Sequence, residues 1–453
     1  MLAAVLCGCG SEGAGGESGE TEADPTTGGA SSSPSTSAGE STADATGTSG
    51  QTTDADSGST SETSSSTGED VPDPGDASGV RVKAFVSHLS VDPAASSATV
   101  WFVAERPRGD IAAHGGFSIR VHTEDGFRGA GLYTPVDREV YFAPGERYAS
   151  VSVSLDTAGA VGLHQVVVVA SEPNGGAVLH SDAFAFSYLD VEAPGIPDDA
   201  RFVAADATRG NGSSDNPWSL AEAFTQAEPG DLVILRGGVY SGSMGTVSSD
   251  NEASVDGFAI EVDGTDEASR IVFMGEPGED VVVDQDGQHN GIYLEGRAYV
   301  TLRGLEIRNI ANGAGGPSGG VYASTGAVTT ALNVEDVYSH GISGSQGSNT
   351  GSFKLQQVDG ARLWRVRGDD VTLEGQANSN CAVVHSYGMR GVWVDASDLG
   401  ATGGSGSGGG SSIFHKRDDT PDEADLVVSR TLLHSNVSPL RFGIQGAGQD
   451  IHD

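Results

Sequence analysis

Residues 291–307 read GIYLEGRAYVTLRGLEI, two short β-forming runs joined by a glycine-containing corner, and this stretch decides the fold. Similar first runs begin at Gly291, Gly320, Ser352, Cys381, Ser412 and Pro439, with spacings of 29, 32, 29, 31 and 27 residues. A second run follows each of the first five, at Val300, Leu332, Ala361, Val392 and Leu426. Because a unit of about thirty residues with two or three strands is one coil of a solenoid, the repeat predicts coils that bury their apolar faces against their neighbours.

Residues 202–242 predict the start of this solenoid domain. A strand at Phe202–Ala205 precedes a short helix, and a second strand follows at 231–235. Asn216 is a suitable helix cap and Pro217 suits the first helical position, while apolar residues at helical spacing follow. We expect this helix to cover the first coil, whose edge would otherwise be open to other chains.

Several motifs in this half of the chain resemble the pectate-lyase-like superfamily. They are DNPWSL at 215–220, EPGD at 228–231, GGVY at 237–240, IVFMGEPG at 271–278 and YVTLRGLEI at 299–307. The resemblance implies a right-handed parallel β-helix over 201–453, and we expect its C-terminus to be incomplete at Asp453.

Residues 80–190 show a different pattern, short alternating runs punctuated by glycine, proline and aspartate, which predicts a β-sandwich. The segment from Val140 to Arg147, followed by 151–155, resembles the strand-turn-strand of Calx-beta and Ig-like modules. Such modules can bind calcium, but no ligands can be assigned here. The domain is interpreted as a spacer, with a binding role as the alternative, and residues 191–200 as a linker.

The N-terminal residues predict export. Leu6-Cys7-Gly8-Cys9 resembles a lipoprotein lipobox, which implies that residues 1–9 are a truncated signal segment and that Cys9 is lipidated. A fortuitous apolar start is the alternative. Residues 10–79, rich in Ser, Thr, Gly and Asp, predict a disordered stalk. We therefore expect a cell-envelope protein, an outer-membrane lipoprotein or a secreted one, that touches the membrane only through a lipid anchor.

Composition limits the partners. The chain has 63 Asp and Glu against 24 Lys and Arg, a formal net charge of -39, which repels nucleic acid. Two of the three cysteines lie in the first nine residues, so no disulfide framework is available, and Cys381 is expected to be a small buried side chain. We expect an all-β monomer with no nucleic-acid partner.

The outward side chains of the first runs predict a binding strip. The residues expected to face inward are Ile292, Leu294, Val321, Ala323, Phe353, Leu355, Ala382, Val384 and Ile413. The outward ladder is then Tyr293/Glu295, Tyr322/Ser324, Lys354/Gln356, Val383/His385, Phe414/Lys416 and Arg441/Gly443. Stacked strands bring equivalent positions to about 4.8 Å. Cations flanked by aromatics suit an extracellular acidic polysaccharide, so we predict that the substrate contacts Tyr293, Glu295, Tyr322, Lys354, His385 and Phe414.

The superfamily resemblance also implies a chemistry. In polysaccharide lyases of this fold a Lys or Arg removes the proton α to a uronate carboxylate, while calcium or Arg neutralises that carboxylate. By this resemblance Lys416 is the candidate base and Arg441 the candidate neutraliser, although both could be ordinary surface cations. Asp418 and Asp419 are candidate calcium ligands, or part of a solvated turn.

Two functions stay open at this point. One is a polysaccharide lyase that acts by β-elimination on an acidic glycan outside the cell. The other is a non-catalytic surface lipoprotein whose β-helix binds glycan or serves as an adhesive rod, because fold alone does not determine function.

Overall fold

The computed structural model describes residues 74–106, 109–249, 252–311, 318–323, 326–344, 349–373, 381–400, 402–404, 410–416, 426–434 and 438–443. Within them the chain is almost entirely β, with an α-helix, α1 (Leu220–Gln226), and short 3₁₀ helices at Ile111–Ala113 and Asp182–Phe184. No helix among these residues is long and apolar enough to cross a membrane. The prediction of an all-β protein is confirmed.

The first domain is a β-sandwich. Its strands are β1 (Arg81–Ala84), β2 (His88–Val91), β3 (Ser97–Glu105), β4 (Phe117–Asp125), β5 (Asp137–Phe142), β6 (Tyr148–Ser154), β7 (Gly162–Ser171), β8 (Val178–Leu179) and β9 (Phe186–Ala193). One sheet has the order β6-β3-β1-β8 and the other β2-β9-β7-β4-β5. Alternate residues fill the core, where the Phe117 and Phe142 rings stack 4.6 Å apart. Ala77, which precedes β1, is also fully buried in this core.

The strands of the second domain follow in chain order. The first are β10 (Arg201–Val203), β11 (Leu232–Leu235), β12 (Gly238–Tyr240), β13 (Thr246–Ser249), β14 (Glu252–Asp256), β15 (Phe258–Ile260), β16 (Ile271–Gly275), β17 (Val281–Asp284) and β18 (Ile292–Leu294). The next are β19 (Val300–Arg303), β20 (Glu306–Ala311), β21 (Ser318–Ala323), β22 (Thr329–Thr330), β23 (Asn333–Glu335), β24 (Tyr338–Gly344), β25 (Thr350–Gln356), β26 (Val358–Trp364) and β27 (Arg367–Gly368). The last are β28 (Val371–Leu373), β29 (Cys381–Tyr387), β30 (Arg390–Asp395), β31 (Asp398–Leu399), β32 (Thr402–Gly404), β33 (Ser411–Lys416), β34 (Leu426–Ser429), β35 (Leu432–Leu433) and β36 (Ser438–Gly443).

Except for β13 and β14, which pair antiparallel with each other, these strands stack into three parallel sheets, the arrangement of a β-helix. Sheet I has the order β10-β11-β16-β19-β23-β26-β30-β34, sheet II β12-β17-β20-β24-β27-β31-β35, and sheet III β15-β18-β21-β25-β29-β33-β36. In sheet III the apolar residues Ile292, Val321, Phe353, Val384 and Ile413 pair in register and are fully buried. The predicted solenoid of stacked coils is confirmed, and Cys381 is buried as expected.

Helix α1 packs over the interior of the first coils. Its cap is Ser219, not the predicted Asn216, because Ser219 and Glu222 form a reciprocal capping box that satisfies free N–H groups at the helix start. Phe224 on the buried face meets Phe273 edge-on, with ring centroids 4.9 Å apart. The helix therefore covers apolar interior, as the sequence predicted, but begins at Leu220.

One part of the predicted ladder is out of register. Val383 was expected to face outward beside Lys354, whereas the partner of Lys354 on β29 is His385. Val383 and Val384 are consecutive residues, yet both lie in the interior core. A simple alternation counted from Cys381 therefore fails, and Ala382, expected inward, is not part of that core.

The sandwich packs against the outer face of sheet I. Trp393 and Val427 of sheet I join the apolar core of the sandwich. A smaller apolar cluster joins Phe127 and Leu163 of the sandwich to Ile234 and neighbouring residues of sheet I. The domain interpreted as a spacer is therefore attached along the side of the β-helix.

Candidate functional site

Strand pairing in sheet III brings the predicted strip into one row. The ladder, as we call it, runs Tyr293, Tyr322, Lys354, His385, Phe414 and Arg441 on six successive strands. The rings of Tyr293 and Tyr322 meet edge-on at 5.4 Å, and the Lys354 Nζ lies 3.9 Å from the centroid of Tyr322. Farther along, the rings of His385 and Phe414 are 5.2 Å apart. The described side chains of the ladder thus form two groups, one of Tyr293, Tyr322 and Lys354 and one of His385 and Phe414.

The ladder is not an open strip, contrary to the prediction. The exposed fractions of Tyr293, Tyr322, Lys354, His385 and Phe414 are 3%, 0%, 0%, 2% and 4%. Lys354 donates a hydrogen bond of 2.9 Å to the Gln356 Oε1. The two tyrosines pack with Ala259 and with Met244, which lies in the segment before β13. These side chains therefore pack as an inner layer, and a polymer does not reach them in this structure.

The other predicted site residues have mixed positions. Glu295 is half-buried and accepts a hydrogen bond from the Tyr293 hydroxyl. The backbones of Lys416 and Arg441 lie in β33 and β36, and their side chains are outside the described residues. Cys9, Asp418 and Asp419 also lie outside the described residues.

The described part of the ladder does not fit calcium. Calcium prefers six to eight oxygen ligands. Among the described ladder residues and their immediate neighbours, the carboxylate is that of Glu295, which is already bonded to Tyr293. No step of a reaction is therefore assigned to calcium at this position.

A different surface, on sheet II, is both polar and accessible. We call it the polar face, and it consists of Asp284, Glu306, Arg308, Tyr338, His340, Arg367, Asp369, Asp398 and His434. Glu306, Tyr338, Arg367 and Asp398 pair in register on successive strands. The Arg308 and Arg367 side chains are 34% and 56% exposed.

Ion pairs and ring stacking organise the polar face. Arg308 donates to Asp284 at 2.8 Å and to Glu306 at 2.9 Å, and the His340 Nε2 lies 3.0 Å from Glu306. The His340 ring stacks on Tyr338 at 4.3 Å. On the other side, the Arg367 guanidinium carbon is 4.5 Å from the Tyr338 ring centroid. Tyr338 therefore lies between two groups that fix the direction of its ring.

The protonation states of the polar face follow from these contacts. Burial acts to raise the pKa of Glu306, but hydrogen bonds from His340 and Arg308 outweigh it and hold that pKa below its ordinary value. The pKa of Asp284 is lowered against burial in the same way, by Arg308 and Asn309. Burial and the charge of Asp369 raise the pKa of Tyr338. At neutral pH the face thus presents charged, paired carboxylates and a phenol.

The polar face was not predicted from the sequence, because the prediction of a binding strip rests on the first run of each coil alone. The signal is nevertheless in the sequence. Polar residues recur at about thirty-residue intervals in a later run of each coil, as in Glu306-Ile-Arg308, Tyr338-Ser-His340 and Arg367-Gly-Asp369. Aligning all runs would have placed these residues on one outer surface.

The β-helix can also be compared with known proteins. Residues 201–361 match the family model described as Pel9A-like, right handed beta helix region. This part of the chain is therefore similar to a Pel9A-like right-handed β-helix. The Pel9A-like region contains Tyr293, Tyr322 and Lys354 of the ladder, and it ends before His385 and Arg441.

Solved structures resemble each domain. The crystal structure of pectate lyase Pel9A is 16% identical with a TM-score of 0.31, and the match covers 56% of this chain and 73% of that chain. The crystal structure of the apo-form Calx CBD1 domain is 18% identical with a TM-score of 0.22, covering 25% of this chain and 96% of that chain. Among curated proteins, none matches the chain. The match of residues 201–361 to the Pel9A-like model agrees with a carbohydrate-active protein.

Proposed function

We propose that the protein binds a polysaccharide along the polar face of its β-helix. The observation that carries the proposal is the partly exposed row of Glu306, Tyr338, Arg367 and Asp398 on successive coils. Coils repeat at about 4.8 Å, close to the length of one sugar ring in an extended chain. Each coil therefore offers hydrogen-bonding groups to one sugar unit.

The composition of the polar face suits hydroxyl-rich ligands. The carboxylates of Asp284 and Glu306 are held by Arg308, so their remaining lone pairs can accept hydrogen bonds from sugar hydroxyls. Tyr338 supplies a ring face and a hydroxyl, with Arg367 beside it. Aromatic rings that have a polar end combine apolar contact with hydrogen bonding.

Binding to immobilised polysaccharides tests this proposal. We would measure the affinity of the full chain for pectate, alginate, glycosaminoglycan and neutral glycans. The double change Tyr338→Ala and Arg367→Ala should weaken binding at least about tenfold, since loss of about 1.4 kcal/mol of contact corresponds to that factor. Tyr148→Ala, which removes an exposed tyrosine of the sandwich, is the matched control. Equal affinities for all three proteins would refute the proposal.

A second candidate function is a lyase at the C-terminal end of the ladder. Arg441 pairs with Phe414, and Lys416 lies two positions farther along the neighbouring strand. Lys416 itself pairs with Gly443, so the backbones of Lys416 and Arg441 lie on neighbouring strands, and this register supports a base and a carboxylate neutraliser close to each other. In this proposal Lys416 removes the proton α to a uronate carboxylate and Arg441 stabilises the charge that develops.

Ultraviolet absorbance of the unsaturated product distinguishes the two functions. The full chain would be incubated with the same acidic polysaccharides, with and without calcium. A rise in absorbance supports β-elimination, and a rise that needs calcium supports Asp418 and Asp419 as its ligands. A flat trace from protein that binds glycan leaves the polar-face proposal standing and removes the lyase.

We also propose that the protein is exported and lipidated at Cys9. The lipobox-like sequence Leu6-Cys7-Gly8-Cys9 supports this, and pectate-lyase-like proteins are typically extracellular. Incorporation of labelled palmitate into the protein in the native host should disappear in Cys9→Ser.

We propose that the protein is a monomer, and light scattering of the purified chain would measure its molar mass.

A further inference from the structure

A histidine and two carboxylates meet where the sandwich packs on sheet I. His88 lies in β2, Asp190 in β9 and Glu335 in β23, and all three are buried, with exposed fractions of 1%, 1% and 0%. One ligand atom from each lies within 4.8 Å of the other two. Neither the ladder nor the polar face includes these residues. The sandwich and the β-helix thus both contribute polar atoms to one buried cluster.

The facing atoms have no hydrogen-bond partners among the described residues. They are the His88 Nε2, the Asp190 Oδ2 and the Glu335 Oε1. The His88 Nε2 and the Glu335 Oε1 are 3.2 Å apart, close enough for a hydrogen bond but without its geometry. Buried polar groups are nearly always satisfied, so three converging unsatisfied atoms indicate a missing shared partner.

The separation of these atoms matches two ligands of one metal ion. Zinc binds histidine nitrogen and carboxylate oxygen at about 2.0–2.2 Å, which places neighbouring ligand atoms of a tetrahedral ion roughly 3.3–3.6 Å apart, close to the 3.2 Å between the His88 Nε2 and the Glu335 Oε1. An imidazole nitrogen favours a transition metal of the zinc type over calcium or magnesium, which prefer oxygen ligands. The donor set therefore selects the class of cation.

Surrounding groups hold each ligand in place. The His88 ring lies between Trp364 and Tyr188, with centroids at 4.6 Å and 4.7 Å. The His88 Nδ1 is 3.1 Å from the Ser87 Oγ, which itself donates to Asp395. Because the Ser87 hydroxyl hydrogen is used in the bond to Asp395, the His88 Nδ1–H donates a hydrogen bond to the Ser87 Oγ. The lone pair of the His88 Nε2 is then available to a metal. Such support of the second ring nitrogen is usual for metal-bound histidine.

The carboxylates are held in a similar way. Gln165 donates to the Asp190 Oδ1 at 2.8 Å, and Arg303 donates to the Glu335 Oε2, so each keeps one oxygen for a cation.

The neighbourhood of the site also contains a cleft. A cleft of about 330 Å³ between the domains is lined by Arg303, Glu192 and Asp336, among others. Glu192 and Asp336 give its wall a negative character, and Arg303 contacts both of them as well as Glu335. Arg303 thus connects the lining of the cleft to one of the three proposed ligands.

We propose that His88, Asp190 and Glu335 bind one divalent transition-metal ion of the zinc type that ties the sandwich to the β-helix. The ion takes one ligand from each of three strands, two in the sandwich and one in sheet I. Because the three ligands belong neither to the ladder nor to the polar face, loss of the ion should weaken the attachment of the sandwich to the β-helix and lower the stability of the fold.

Zinc uptake by the full chain tests the site. Untagged protein with its exposed thiols alkylated would be stripped with EDTA, dialysed against Zn²⁺ and assayed for bound metal. We expect one tightly bound ion, a higher thermal unfolding midpoint with Zn²⁺, and an X-ray absorption spectrum with one imidazole nitrogen among oxygens. Stripped wild-type protein with no saturable uptake would overturn the proposal without any variant.

Variants then locate the ion. Asp190→Asn keeps the shape of the side chain and the Gln165 contact, so it should fold. It should bind Zn²⁺ more than tenfold more weakly and lose most of the thermal shift. His122→Gln, which removes a histidine paired with Glu124 on the sandwich surface, is the control and should match wild type. Unchanged uptake by Asp190→Asn would also overturn the proposal.

Discussion

The guanidinium group of Arg362 in the β-helix lies against the ring of Phe186 in the sandwich, with its carbon 3.8 Å from the ring centroid. Its nitrogens donate to three backbone carbonyls of the sandwich, those of Ser87, Ala183 and Phe186, at 2.9–3.1 Å. Burial lowers the pKa of Arg362, yet an arginine stays charged in proteins. Backbone carbonyls and aromatic rings therefore stabilise this buried cation.

Arg362→Met should loosen the attachment of the two domains. The change removes three charge-assisted hydrogen bonds and a cation–π contact, and we expect a loss of roughly 3 kcal/mol in the free energy of unfolding. Calorimetry and limited proteolysis would measure it. Arg367→Met, at an exposed position, should change stability by less than about 0.5 kcal/mol, and equal effects of both changes would contradict this role for Arg362.

Asp395→Asn should remove a pH-dependent part of stability. Burial acts to raise the pKa of Asp395, but Arg430 and the hydroxyls of Ser429 and Ser87 outweigh it and keep that pKa below its ordinary value. A carboxyl whose pKa is lower in the folded state stabilises the fold above its unfolded pKa of about 4, and this stabilisation is lost as the pH falls through the folded pKa. We expect wild type to exceed the variant by about 2 kcal/mol at pH 7, and the difference to shrink below pH 4. Denaturant unfolding at several pH values would show a constant difference if this explanation were wrong.

Ser219→Ala should destabilise helix α1 at the start of the β-helix. It removes one half of the capping box with Glu222, so the expected loss is about 1 kcal/mol. Thr225→Ala is the matched control, because Thr225 is an exposed residue of the same helix whose hydroxyl bonds only to carbonyls within it. Chemical denaturation of the two variants would give the difference, and a control that loses as much as Ser219→Ala would rule out capping as the cause.

Lys416→Ala should abolish lyase activity if the protein has it. Loss of a general base typically lowers the rate by about 10²–10⁴-fold, with the fold unchanged. Arg120→Ala, at an exposed ion pair of the sandwich, should keep full activity. Absorbance of the unsaturated product measures both, and full activity in Lys416→Ala would remove that residue from the mechanism.

The β-helix could be predicted because each coil is specified by a short sequence pattern that recurs about every thirty residues. Equivalent positions of stacked coils must lie next to each other, so Tyr293, Tyr322 and Lys354 were placed correctly in one row. The predicted row departs from the structure at Val383, because the consecutive side chains of Val383 and Val384 both face the interior. Burial of the row could not be read from spacing, because Met244 packs on it from an earlier part of the chain.

The contact between the domains was beyond sequence reasoning for another reason. Arg270, Arg303 and Arg362 occupy outward positions of the coils, which normally indicates solvent exposure, yet their exposed fractions are 0%, 4% and 3%. Their partners lie in a separate domain. No periodic pattern relates Ser87 to Asp395, although they share two hydrogen bonds.

The attachment of the sandwich changes how the β-helix can come apart. Coils of a free solenoid can open one after another, because each touches only its neighbours. Here the sandwich is bonded to five successive coils, from Arg270 on the loop leading into β16 to Asp395 on β30. It therefore acts as a splint, that is, a rigid body that links those coils to one another. Opening any one of them must also detach the splint. Amide hydrogen exchange in the splinted coils should therefore proceed through one shared opening, a cooperativity that a repeat protein ordinarily lacks.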